Sequence, residues 1–233
     1  MAASVVVATA NSTSNGNNVT LSLGSDLAEN DVVILVGGFA GGTSTAPGAL
    51  GPTGFASIIT AVDSAEADWT AQWLRAGATP PTSILAAGSG NGTDAVSYGT
   101  IVARGIKTDG NPWQDVKTSI AGVGVGQSPS IITTTDGALV VAGVSVDVHD
   151  NSRGVVTNFS HSQSASNNDT DDLGTGIAAS IISTAGSIAP NAWSAWNSGT
   201  YFGITVALEA TSVVGGATAI KDIIGTGIIP FSR

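Results

Sequence analysis

The stretch "FGITVALEA", residues 202–210, alternates large with small: Phe202, Ile204, Val206 and Leu208 are bulky and apolar, and Gly203, Thr205 and Ala207 stand between them. A period of two places the bulky set on one face of a β-strand and the small set on the other. The stretch therefore predicts a strand with one face buried and small residues lining the other. Ten further short runs, each bounded by Gly, Asn, Asp or Pro, read the same way: "SVVVAT" (4–9), "NVTLSL" (18–23), "DVVILVGGF" (31–39), "FASIITAV" (55–62), "DWTAQWLRA" (68–76), "YGTIVARGI" (98–106), "PSIITTT" (129–135), "ALVVAGVSV" (138–146), "VVTNFS" (155–160) and "GIAASIIST" (176–184). Each is too short for a helix, and turn signals such as "GNG" and "TDG" separate them. Strands at this spacing predict an all-β chain folded as an antiparallel sandwich, jelly-roll-like, not alternating βα units. "GGTSTAPGALGPTG" (41–54) and "SQSASNNDTDDLGTG" (162–176) read as surface loops at its ends.

Composition agrees with strands and narrows function. Of 233 residues, 31 are Gly and only 10% are charged, so the Leu, Glu, Lys and Arg of ordinary helices are scarce. The formal charge is −10, and the seven Lys and Arg are scattered, which argues against nucleic acid, whose phosphates require clustered cations. No apolar run is long enough to span a bilayer, and no basic region precedes the apolar run near Met1, so neither a membrane partner nor a secretory signal is expected and Met1 fits a cytosolic product. With no Cys, disulfides and thiolate metal sites are out of reach. The sequons at Asn11, Asn18, Asn91, Asn158 and Asn168 are accordingly read as the Asn and Thr of polar turns.

Reactive side chains are thinly spread. His149 beside Asp150, with His161 about one strand later, offers two imidazoles and a carboxylate, yet no spacing fixes a third ligand and both His read as strand-end residues in a polar loop. "NNDTDD" (167–172) gathers Asp169, Asp171 and Asp172, oxygen ligands that a hard cation such as Ca²⁺ accepts, but it lacks the Gly and Glu offsets of an EF-hand loop and reads as a solvated acidic loop. "GSGNG" (88–92) and "GVGVG" (122–126) have neither the strand-to-helix setting nor the Lys of a phosphate loop. Trp69 and Trp73 share a strand face and, with Trp193 and Trp196, could stack on sugar rings. In a chain so poor in large side chains, they are expected to supply core volume instead.

Four blocks in order, "DLAENDVVILVGGF" (26–39), "WTAQWLRAG" (69–77), "PSIITTTDGALVVAGVSVD" (129–147) and "FGITVALEA" (202–210), resemble a β-sandwich domain common among tailed-bacteriophage virion proteins. In that group a strand opening G-D-L, a P-x-V-T-T-T-x-D-G-A-L-V-V-A block and a closing W-x-x-x-T-V-A-L strand follow in this sequence. The resemblance covers roughly residues 18–210; "GSDLAEND" carries an extra Ser25, and Tyr201 and Phe202 stand where Trp is usual. It implies a structural role in a virus particle, as a capsid decoration protein, head fibre, spike or tail component. The partners would be other virion proteins and copies of the chain itself in a homo-oligomer, with synthesis in the host cytoplasm and no cofactor or catalysis. A carbohydrate-binding module of a tail fibre is the alternative, with a glycan hydrolase a more distant third; exposed Trp would favour the former, and paired carboxylates facing a cleft the latter.

The boundary falls near Ala210, dividing a sandwich domain (1–210) from a tail (211–233). The last fourteen residues, "IKDIIGTGIIPFSR", include Ile220, Ile223, Ile224, Ile228, Ile229, Pro230 and Phe231. Left bare, such a segment would be an aggregation liability, so it is expected to be covered. The spacer from Thr211 to Ala219 can reach roughly 30 Å. Gly225 and Gly227 let the segment bend into a groove or pair with a sheet edge, and Pro230 ends the pairing. Burying four of the Ile side chains would contribute on the order of 6–10 kcal/mol before ordering costs. These seven residues are the expected assembly interface, crossing to a copy of the chain or to an underlying virion protein; the alternative is that the tail folds back on its own sandwich.

Overall fold

The structure, a computed structural model, describes residues 2–13, 16–40, 52–63, 67–89, 94–147, 156–168, 172–194 and 199–211. Among them there is no helix. The strands are β1 (Ser4–Thr13), β2 (Val19–Ser22), β3 (Val32–Ala40), β4 (Ala56–Asp63), β5 (Ala67–Arg75), β6 (Ser83–Ala86), β7 (Ala95–Arg104), β8 (Trp113–Gly124), β9 (Ile131–Thr133), β10 (Ala138–Val146), β11 (His161–Asn168), β12 (Asp172–Ile182), β13 (Gly186–Ile188) and β14 (Gly199–Leu208). Every pairing between them is antiparallel. One five-stranded sheet runs β1-β7-β3-β5-β4 and a second β11-β12-β10-β14-β8; β2 with β6, and β9 with β13, form two-stranded ribbons.

The inner faces of the two sheets share one core, Val32, Ile34, Val36, Trp69 and Ile101 meeting Leu139, Val141, Ile177, Phe202, Ile204, Val206 and Leu208. This is the antiparallel sandwich that the strand pattern predicts. Each sheet is also covered outside. Val33, Leu35, Phe39, Tyr98 and Val102 lie under the β2–β6 ribbon through Val19, Leu21, Ile84 and Ala86. On the other sheet, Val140, Ala142, Val144 and Ala178 lie under Ile131, Phe159 and Trp193.

Four layers bury both faces of the central strands. All nine residues of β3 and all nine of β10 are buried, which is why "VVILV" and "ALVVA" are continuous apolar runs. The expectation of one buried face in "FGITVALEA" is corrected by the same fact. Thr205 and Ala207, on its small side, are fully buried as well, and the Thr205 hydroxyl donates to the carbonyl of Pro129 at 2.6 Å. Small residues are needed there because a covering segment approaches closely: a Cβ on Gly203 would strike the Gln127 carbonyl oxygen.

Two other expectations are corrected. Residues 162–168 and 172–176 are not a surface loop, since β11 and the start of β12 pair there from His161 with Ala179 to Asn168 with Asp172, and 169–171 lie outside the described residues. "VVTNFS" is not a strand: residues 156–160 form turns and bends, and Val156 and Phe159 plug the outer core of the second sheet. Asn158 holds that plug by donating to the Ala189 carbonyl and accepting from the Asn191 amide. Strands β6, β8 and β13 lie where the sequence reading placed none. In the expected loop 41–54, residues 41–51 lie outside the described residues.

Candidate functional site

Of the sites considered from sequence, only parts fall among the described residues. His161 opens β11 at the level of Ala179, which pairs with Val141 of β10. His149 and Asp150 themselves lie outside the described residues, as do Asp169 and Asp171. Asp172 is not part of a solvated loop: it opens β12 and is 3% exposed. Among the described residues no group of three or more His, Asp or Glu is arranged to hold a metal ion. The sequon Asn11 sits within β1 and not in a turn, and the Asn18 side chain accepts from the distant Gly88 amide.

The tryptophans are mostly interior. Trp69 is fully buried and stacks on Phe202 across the sandwich, centroids 6.4 Å apart. Trp193 is equally buried and closes the outer core over Gly176, where any Cβ would collide with its indole. Trp73, on the inward face with Trp69, is half-buried and meets Trp113 edge to face at 5.3 Å, with the Arg75 guanidinium 5.9 Å from its ring centre. Desolvation lowers the Arg75 pKa from its ordinary value, partly offset by Asp109. Trp196 lies outside the described residues.

What the fold does build is a rigid exit for the end of the chain. Beyond β14, Ala210 pairs with Ile106, the Thr211 amide donates to the Gly105 carbonyl at 2.7 Å, and the Glu209 amide donates to the Pro112 carbonyl at 2.8 Å. The Lys107 amide donates to the Glu209 carbonyl, and its ammonium group meets the Glu209 carboxylate at 3.0 Å. Thr211, the last described residue, is therefore fixed in place by main-chain bonds to residues a hundred positions earlier. It stands at the lip of a recess of about 480 Å³, lined by Ala2, Ala3, Gly137, Ile181, Ala210 and Thr211, with Asp136 and Glu209 as its charged members.

Local chemistry explains the recess. Gly137, at φ 76°, makes the turn into β10, and Asp136 steadies it by accepting from the Ala185 amide at 2.7 Å. Ile181 projects from the end of β12 and stays 48% exposed. Its walls are apolar and its charges all acidic, a surface suited to holding an apolar segment and poorly suited to an anion. The sequence reading takes Asp136 and Gly137 only as part of a turn, Ile181 only as part of a strand and Ala210 only as a boundary; the recess joins four separate segments, and no local pattern encodes it. The residues expected to assemble, Ile220, Ile223, Ile224, Ile228, Ile229, Pro230 and Phe231, lie outside the described residues. No family model, curated protein or solved structure matches the chain.

Proposed function

We propose that this chain is a non-enzymatic structural subunit of a bacteriophage virion, a capsid decoration, spike or tail protein, that acts by assembly through its surface and its C-terminal tail. The observation that carries the reading is the locked exit at Thr211. A body whose three cores draw on residues between Ala3 and Ala210 hands a chain rich in Ile to its surface at a fixed point beside an apolar recess. The order of "DLAENDVVILVGGF", "PSIITTTDGALVVAGVSVD" and "FGITVALEA" supports the virion setting by resemblance. The nested pairing of first strand with seventh, second with sixth and third with fifth supports a jelly-roll-like winding of each half. The subunit works with copies of itself and other virion proteins, needs no cofactor, and resides in the particle.

The test is a chain ending at Thr211. It is expected to stay folded by circular dichroism and to sediment as a monomer, while the full chain sediments as an oligomer or co-purifies with particles. Equal assembly of the two chains would overturn the proposal.

A further inference from the structure

The two halves of the chain are wound alike. Strands one to seven of the first half give the sheet order β1-β7-β3-β5-β4 and the ribbon β2–β6. Counted from β8, the second half gives β8-β14-β10-β12-β11 and the ribbon β9–β13. Renumbered from its own first strand, each half reads 1-7-3-5-4 with a 2-6 ribbon. Seven antiparallel strands admit a great many orders, and both halves adopt the same one.

Local landmarks repeat with the topology. Each third strand, β3 and β10, has nine residues, all buried, and follows a residue at positive φ: Asn30 at 70° before β3, Gly137 at 76° before β10. Each seventh strand carries a tyrosine directed at the outer core of its own half, Tyr98 and Tyr201. The way the sheets face is also regular. β1 packs near β11, as Ser12 bonds Ser166, and β7 packs on β12, as Thr175 bonds Ser97, while Trp69 of β5 stacks on Phe202 of β14. That order follows from a half-turn about an axis lying along the strands between β3 and β10.

We infer that residues 2–106 and 113–211 are two copies of one seven-strand unit, and that the inner face of each is an interaction surface whose partner is the other copy. The protein is a dimer fused into one chain. Each unit has an outer core of its own, but Val32, Ile34, Val36 and Trp69 of the first and Leu139, Val141, Ile204 and Val206 of the second are covered only across the shared layer. The symmetry also makes two connections equivalent. The stretch 105–112 joins the end of β7 to the start of β8, and the same span must separate the end of β14 from the start of β1. Ala2 and Thr211 do flank Gly105 together: the Thr211 amide bonds its carbonyl, and a Cβ on Gly105 would strike the Ala2 carbonyl oxygen.

Two forms of the whole body test this. In the first, a protease site is placed between Asp109 and Gly110, where Gly110 has open space around it, and the folded full chain is cut. The fragments are expected to co-elute one to one with an unchanged circular dichroism spectrum. In the second, a circular permutant starts at Gly110, joins Thr211 to Ala2 through a short linker that makes the whole connection from Leu208 to Ser4 as long as 105–112, and ends at Asp109. It is expected to fold with a denaturation midpoint close to that of the uncut chain ending at Thr211. Separation of the cut chain into two independently folded halves would overturn the shared interface. A cut chain that stays whole beside a permutant that does not fold would overturn the equivalence of the two connections and with it the repeat.

Discussion

The two seams of the sandwich occupy equivalent places in the fold and are filled in opposite ways. Along β1, β7, β11 and β12 the sheets close on small groups: Ser12 donates to the Ser166 carbonyl at 3.0 Å, Ser97 to the Ala165 carbonyl at 3.1 Å, Thr175 to the Ser97 carbonyl at 3.1 Å, and Gly99 lies against Ile177. Along β4, β5, β14 and β8 they are held apart by rings, Trp69 on Phe202 and Trp73 on Trp113. One layer is thus a wedge, hydrogen-bonded at its narrow side and filled with aromatic volume at its wide side. Like winding fixes where strands go; side-chain volume then decides how far apart the sheets stand.

The comparison breaks most directly at the wide side. Trp69→Ala removes the largest buried side chain of that seam and is expected to cost about 3–5 kcal/mol in denaturant unfolding. Trp69→Phe should cost less, because the indole N–H is buried with no hydrogen-bond acceptor among the described residues. Equal losses for the two substitutions would show that ring volume is not what fills the seam.

At the narrow side the expected effect is overpacking. A Cβ on Gly99 would stand 2.8 Å from Ile177 Cγ2, so Gly99→Val should cost about 1–3 kcal/mol. Combining it with Ile177→Ala should cost less than the sum of the two single changes, since one relieves the crowding caused by the other. Strict additivity would contradict the close approach. Next in size, Ser97→Ala removes a buried donor to Ala165 and leaves that carbonyl short of a partner, for about 1 kcal/mol by thermal or urea unfolding.

The smallest effect is absent at neutral pH. Burial, and then the Asp68 carboxylate, push the Tyr98 phenol well above its ordinary range, and its hydroxyl donates to the Ala87 carbonyl at 3.0 Å. The folded chain holds this proton more tightly than the unfolded one, so the group leaves stability unchanged below a pH of about 10 and lowers it as pH rises beyond that. Urea midpoints measured from neutral to alkaline pH should fall less steeply in Tyr98→Phe than in the parent chain, whatever their starting difference.

Much of the body was legible because burial on two faces leaves an unmistakable mark. "ALVVAGVSV" became β10 with the same bounds, residues 138–146, and "DVVILVGGF" overlaps β3 in all but its first residue. β8 escaped notice because it is an edge strand: Asp115 and Lys117 break its apolar pattern with an ion pair at 3.2 Å that is partly exposed. β11 escaped because "HSQSASNN" has a loop's composition, and the narrow seam asks for such small residues. "VVTNFS" misled in the other direction, Val156 and Phe159 serving as a plug and not as part of a strand. The recess at Thr211 and the repeat were invisible for a shared reason: both are relations between distant segments, and the halves have filled equivalent seams with residues as unlike as Gly99 and Trp69.

The central claim is that folding and assembly are separable, the body up to Thr211 doing the first and the chain beyond it the second. Native-state hydrogen exchange on the full chain and on a chain ending at Thr211 tests it directly. The amides of β3 and β10, buried on both faces in either half, are predicted to exchange only through global unfolding, with the same protection in both chains. Loss of protection in β3 or β10 of the shorter chain would contradict the account, since the tail would then be part of the fold it is meant only to connect.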